Sequence, residues 1–182
     1  MQFYDADAVE KIAINLFYGW GYNFYRLENQ LRADDQLIRA KAGFLLGNAR
    51  KSVETAQSDF RREFLPPPTR QKSQHDPAAV AKAQALERFS KAIGALIALL
   101  NNQPVPENDR MTQRYRHEAP TLQALIQSDY FLIGQAELLR TSVEGKSGAE
   151  IADHVAELQE GVTAITETLR KRQLVLFPAQ AG

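Results

Sequence analysis

Residues 27–64 read LENQLRADDQLIRAKAGFLLGNARKSVETAQSDFRREF, and how this stretch is read decides the fold. Its apolar or small positions, Leu27, Leu31, Ile38, Ala42, Leu45, Ala49, Val53, Ala56, Phe60 and Phe64, recur at steps of three, four or seven. That is the period of one helix face, not the alternation of a strand. A helix of this length rises about 1.5 Å per residue, on the order of 55 Å in all, several times the average. The spacing lies nearer eleven residues per three turns than seven per two, which predicts a nearly straight helix with little left-handed supercoil. Gly43 and Gly47, four apart, predict the close approach of another helix along this one. Pro66, Pro67 and Pro68 stop it, because proline lacks the amide proton the helical ladder needs.

Outward from this element, the flanking sequence also resolves into helices. Toward the N-terminus, Asp7-Ala8-Val9-Glu10 has the spacing of a capping box and predicts a short helix within 1–18, interrupted by Gly19 and Gly21. Residues 19–26 then form an aromatic joint to the long helix. Downstream, Asp76-Pro77 supplies an N-cap and a first-turn proline for a helix over 77–102, whose face is Ala83, Leu86, Ser90, Ile93, Ile97 and Leu100. Pro120 opens a helix over 120–144 with Leu122, Leu125, Asp129, Leu132, Ala136, Leu139 and Val143 on one side. Gly145 stops it, and Ser147-Gly148-Ala149-Glu150 fits a capping box for a last helix over 148–174. Ile151, Val155, Leu158, Val162, Ile165 and Leu169 repeat there at strict four-three spacing. Short connections favour antiparallel neighbours. The expected fold is therefore all-α, an antiparallel up-down four-helix bundle with one unusually long helix and a short N-terminal helix, in one domain over 1–182.

Composition narrows the function classes. Twenty-two basic side chains balance 22 acidic ones, so a general attraction to nucleic acid or an anionic membrane is not supported. The absence of cysteine removes disulfides, thiolate zinc sites and cysteine nucleophiles, and suits a cytoplasmic protein. The first residues lack the basic-then-apolar order of a secretory signal. The longest apolar run, from Ile93 to Leu100, is too short for a transmembrane segment, which needs roughly 20 residues.

The most unusual local feature is Phe17-Tyr18-Gly19-Trp20-Gly21-Tyr22-Asn23-Phe24-Tyr25, followed by Arg26. In an up-down bundle it lies at the end where the loop from Val105 to His117 returns and where Arg170-Lys171-Arg172 closes the last helix. The candidate binding residues are accordingly Trp20, Tyr22, Tyr25, Arg26, Arg110, Arg114, Tyr115, Arg116 and His117, because aromatic faces and guanidinium groups together hold a protein surface, a phosphate or a carboxylate. Glu107, Asp109 and Glu118 offset Arg110, Arg114 and Arg116, and the competing reading is internal ion pairing that ties the loop down. For the aromatic run the competing reading is a lid in which Phe17, Phe24 and Trp20 close the core while the tyrosine hydroxyls stay wet.

Catalytic signals are sparse. There is no nucleophile-elbow motif, and Gly19-Trp20-Gly21 follows a helix and lacks the third glycine of a phosphate fingerprint. Of the three histidines, none completes a Glu-x-x-His bundle motif; Glu150, His154 and Glu157 share a helical face but read as a solvated acidic stripe, so no metal or other cofactor is expected. Asp34, Asp35 and Asp129 are candidates for buried acids; Asp34 and Asp129 fall on apolar stripes, where a buried carboxylate needs an arginine or hydroxyl partner.

The leading expectation is a non-enzymatic helical-bundle protein acting through protein-protein interaction and self-associating as a homo-oligomer. Its motive is the overhang of the long helix, which the first helix or another subunit must cover. The alternative is a bundle binding a phosphate-bearing ligand or nucleic acid through the aromatic/arginine end, and after it a carboxylate- or metal-dependent bundle enzyme.

Overall fold

The computed structural model describes residues 2–21, 31–68, 74–103 and 119–176, and among them there is no strand. Six helices pack against each other: α1 (Ala6–Trp20), α2 (Leu31–Phe64), α3 (Pro77–Asn101), α4 (Ala119–Val143), α5 (Gly148–Asp153) and α6 (Val155–Leu176). The expected all-helical class is observed, and α2 with its 34 residues is the long element read from residues 27–64. Residues 27–30, and Tyr22 through Arg26 before them, lie outside the described residues, as do residues 104–118.

Contacts between named residues set the helix directions. Arg39 near the start of α2 reaches the carbonyls of Leu100 and Gln103 at the end of α3, while Ser90 donates to Glu54 and Arg61 to Glu87. These two helices therefore run in opposite senses. Arg172 with Asp129, and Thr168 with Gln135, do the same for α6 and α4. Helix α1 lies chiefly on α4, with Val9 against Gly134 and Phe17 on Tyr130. The core between them is built of apolar side chains: Ile38, Ala42, Val53, Leu86, Ile93, Leu132, Leu139, Ile165 and Leu169 are all fully buried. Phe64 departs from its assigned stripe and stands 44% exposed in the last turn of α2, with its ring 4.6 Å from that of Phe60.

The helix ends show where local chemistry prevails. Asp76 accepts from Ala78 N, and Ser147 and Glu150 form the reciprocal capping box, both as read from sequence. At the N-terminus the cap is Asp5, which accepts from Ala8 N; the box at Asp7 does not form, because Asp7 is already inside the first turn. Gly19 does not interrupt α1 either. The helix runs through it to Trp20 and stops at Gly21, whose φ of 67° lets its N–H return to the Phe17 and Tyr18 carbonyls. The last segment is two helices instead of one. The His154 Nδ1 sits 3.0 Å from the Glu150 carbonyl oxygen, occupying the acceptor that the His154 N–H would use, and that N–H turns to Ile151 instead.

Close approaches occur at other glycines than those expected. A Cβ at Gly47 would meet nothing within 4 Å and one at Gly43 only Leu100 at 3.9 Å, so among the described residues no helix approaches closely there. A Cβ at Gly134 would instead run into the Val9 carbonyl, and one at Gly148 would come within 2.6 Å of the Ala56 carbonyl. The second approach places α5 against α2 and α3, over the C-terminal half of the long helix where Val53, Ala56 and Phe60 are buried. The overhang expected to need the first helix or another subunit is thus covered by α5.

Candidate functional site

Four charged side chains are buried in one layer across the molecule. Asp35 and Arg39 come from α2, Asp129 from α4 and Arg172 from α6, with 0%, 8%, 0% and 1% of their surface exposed. Arg172 donates through Nε to Asp129 Oδ1 at 2.5 Å and through Nη1 to Asp35 Oδ1 at 2.6 Å. Arg39 Nε faces Asp35 Oδ2 at 3.0 Å off the line of a hydrogen bond, so attraction between the charges holds that contact. The Arg39 Nη1 donates onward to the Gln103 carbonyl, and the Gln103 side chain donates to the Leu169 carbonyl at 3.1 Å. Two carboxylates and two guanidinium groups cancel in charge, and the layer links α2, α4 and α6 to the segment that follows α3.

Each charge has a local reason to be there. Asp129 lies one helical step from Leu125 and Leu132, both buried, so the α4 stripe carries it inward. Arg172 follows Ile165 and Leu169 at the same four-three spacing. Removing an ion from water costs several kcal/mol, which only a close, hydrogen-bonded counter-ion offsets. Burial raises the Asp129 carboxyl above its ordinary value, against the opposing pull of Arg172. For Arg172, desolvation works against the charge, but Asp129 and then Asp35 outweigh it and raise its pKa, so the guanidinium stays charged.

A second polar chain lies farther along the same helices. Thr168 donates to the Gln135 side-chain oxygen at 2.8 Å, and Gln135 donates to the Phe3 carbonyl at 2.9 Å. Phe3 is buried because Gly161 leaves room for its ring; a Cβ there would fall 2.5 Å from the ring. The segment preceding α1 is thereby fastened onto α4 and α6.

Near the charged layer lies the end of α1. Phe17 packs on Tyr130 with ring centroids 5.0 Å apart and on Trp20 at 5.6 Å. Burial, and then Glu10, push the Tyr130 phenol above its ordinary pKa. Trp20 is half-buried, with Lys41 Nζ 4.7 Å from its ring centroid, whereas Tyr18 is 84% exposed. Within the described part of the aromatic run, Phe17 and Trp20 serve as a lid and Tyr18 as surface.

Of the candidate binding residues, Trp20 is the one the described residues include. Tyr22, Tyr25, Arg26, Arg110, Arg114, Tyr115, Arg116 and His117 lie outside them. Asp34 and Asp129, flagged as acids on apolar stripes, are both buried, and Asp129 has the arginine partner its burial requires. Asp35, expected with them as a buried acid, is buried as well; Arg39 and Arg172 were not expected inside, although extending the α6 stripe by one more step reaches Arg172. Glu150 is engaged in its capping box, and among the described residues no group of three His, Asp or Glu side chains is arranged to hold a metal ion. Neither a protein-family model, a curated protein nor a solved structure matches the chain.

Proposed function

We propose that this chain is a non-enzymatic, cytoplasmic protein that acts by binding other protein surfaces, a copy of itself among them, on the scaffold of a single antiparallel up-down four-helix bundle. The bundle comprises α2, α3, α4 and the α5–α6 pair, with α1 as the short N-terminal helix laid on α4. The antiparallel senses of α2 with α3 and of α4 with α6 support that topology.

The observation that carries the functional reading is the division of labour between inside and outside. Asp35, Asp129, Arg39 and Arg172 bind one another in the interior, where the two acids and Arg172 are closed to a solute and Arg39 alone borders a surface groove. Among the described residues the same end turns an aromatic edge outward beside exposed Arg170 and Lys171: Tyr18 is 84% exposed, and the rim of the lid residue Trp20 is partly exposed. Aromatic side chains with one wet edge are the groups that contribute most at protein interfaces.

Light scattering over a wide range of protein concentration tests the self-association, and a mass that stays at one chain throughout removes it. Capture from the native organism with the parent and with Tyr18→Ala and Trp20→Ala tests the aromatic end. A partner retained equally by all three, with folding intact, removes that end from the reading.

A further inference from the structure

The outer side of α2 changes character halfway along. From residue 36 to 47 its exposed side chains are Gln36, Leu37, Ala40 and Phe44, none of them charged. From residue 50 onward the exposed side chains include Arg50, Lys51, Glu54, Asp59, Arg61 and Arg62. Helix α3 changes at the same level: Glu87 and Lys91 are exposed and ion-paired, whereas Ala95, Ala98, Leu99 and Asn101 are exposed and uncharged. Two neighbouring helices therefore present one charge-poor surface, on which Lys41 is partly buried against Trp20 and Arg39 is paired with Asp35, bounded on one side by a belt of ion pairs. A solvated helix face is ordinarily charged, and depletion of charge is what marks the centre of a protein interface. A nucleic acid or anionic membrane would call for a set of exposed cations, whereas the exposed side chains here are uncharged.

The relief of this surface points to its occupant. Phe44 projects with 64% of its surface exposed, and Leu37 projects one heptad before it. Between α2 and α3 beside them runs a groove of about 490 Å³, lined by Ala40, Gly43 and Ile97 together with Gln36, Arg39 and Asn101. Gly47 continues the same small-residue side, with open space above it. Projection and groove thus lie within one turn of each other on the same face. Only a two-fold pairing brings a surface onto itself, and that pairing needs every knob to have its hole on the same patch.

Resting on the reading of the chain as self-associating, we infer that this face docks a second copy of the chain, with α2 antiparallel to α2 and the two-fold axis passing between Gly43 and Phe44. In this register Phe44 of each copy lies over Gly43 of the other, and Ala40 lies over Gly47. The glycines let the helices approach closely enough for the phenylalanines to enter the grooves. The uncharged strip covers only about three turns, well short of the roughly 800 Å² per partner that stable complexes bury, so the dimer is weak and concentration-dependent.

The chain has no cysteine, so a single introduced thiol reports geometry directly. Sedimentation velocity across a concentration series is run on the parent, on Phe44→Glu and on Gly47→Glu, with circular dichroism to confirm folding. Two variants at exposed or open positions guard against a folding loss in either. Gly43→Cys is oxidised mildly beside a control, Lys11→Cys, on α1. The expected results are a parent dimer whose Kd rises at least tenfold in both glutamate variants, and a disulfide dimer formed faster by Gly43→Cys than by Lys11→Cys, since residues nearest the axis come within disulfide reach. A parent that dimerises unaltered by either glutamate, with no preferential cross-link at position 43, overturns this face and leaves self-association standing. A parent that is monomeric at every concentration overturns both.

Discussion

Arg172 shows how much one side chain can carry in a buried layer. It is 1% exposed and holds carboxylates from two other helices, Asp35 at 2.6 Å and Asp129 at 2.5 Å. Truncating it leaves both acids in the interior with their main counter-ion gone, a loss that typically costs about 3–5 kcal/mol. Arg172→Leu is therefore expected to lower the unfolding free energy by about that amount in urea titrations, and Arg172→Lys by less, since one ammonium keeps the charge but cannot bridge both acids in the same fork. A loss below about 1 kcal/mol for the leucine variant would mean that the layer relaxes into water. Trp20 offers a second measurement at this scale, as the chain has one tryptophan. Lys41 covers one face of its ring, so Lys41→Ala is expected to increase quenching of its fluorescence by acrylamide, and an unchanged quenching constant would contradict that contact.

Among the helices, glycine positions that look alike in sequence differ in what surrounds them. At Gly134 a methyl group would collide with the Val9 backbone, so Gly134→Ala must push α1 off α4 and is expected to cost about 1–3 kcal/mol, as overpacking does. At Gly47 the space is open, and alanine there gains helix propensity of about 0.5–1 kcal/mol. Thermal melts of the two variants at low protein concentration should move in opposite directions; a shared direction would refute the packing of α1 on α4. The start of α5 adds a pH dependence. Hydrogen bonds from the Ser147 hydroxyl and backbone N–H, the hydroxyl first, hold the Glu150 carboxyl below the usual carboxylate range. With the folded pKa depressed, the capping contribution is present above the ordinary glutamate pKa and is lost as pH falls through the folded value. Ser147→Ala is expected to cost about 1 kcal/mol at neutral pH, and the gap between its stability and the parent's should narrow on acidification through that window. A gap independent of pH would show that Glu150 takes no part in the cap.

Across the molecule, what could be read from sequence and what could not divide along a physical line. Periodicity records which side of a helix is buried, and the stripes from Ile38 to Phe60 and from Ile151 to Leu169 are the buried faces observed. Caps are equally local, which is why Asp76 and Ser147 were legible. The contact partner is not local. Nothing in the neighbourhood of Arg172 distinguishes it from Arg170 except the continuation of the stripe, and nothing near Gly134 shows that Val9 will lie against it. The covering of the long helix by α5 likewise depends on Gly148 meeting Ala56, a juxtaposition that appears only when the chain is folded.

If the uncharged face of α2 and α3 binds a second copy, association must stabilise the fold by mass action, because the dimer contact exists only in the native state. A species that binds the folded chain and not the unfolded one raises stability by an amount that grows with the logarithm of its concentration above Kd. The melting midpoint of the parent should therefore climb as protein concentration is raised past the dissociation constant, whereas that of Phe44→Glu should stay flat over the same range. Salt separates this mechanism from an ionic one. Between Gln36 and Gly47 the exposed side chains are uncharged and Lys41 is partly buried against Trp20, so screening should leave the parent's climb intact, while sulfate, which strengthens apolar burial, should steepen it. A midpoint that ceases to depend on concentration once salt is added would place the contact on the charged half of α2, among Lys51, Asp59 and Arg62, and not on the face around Phe44.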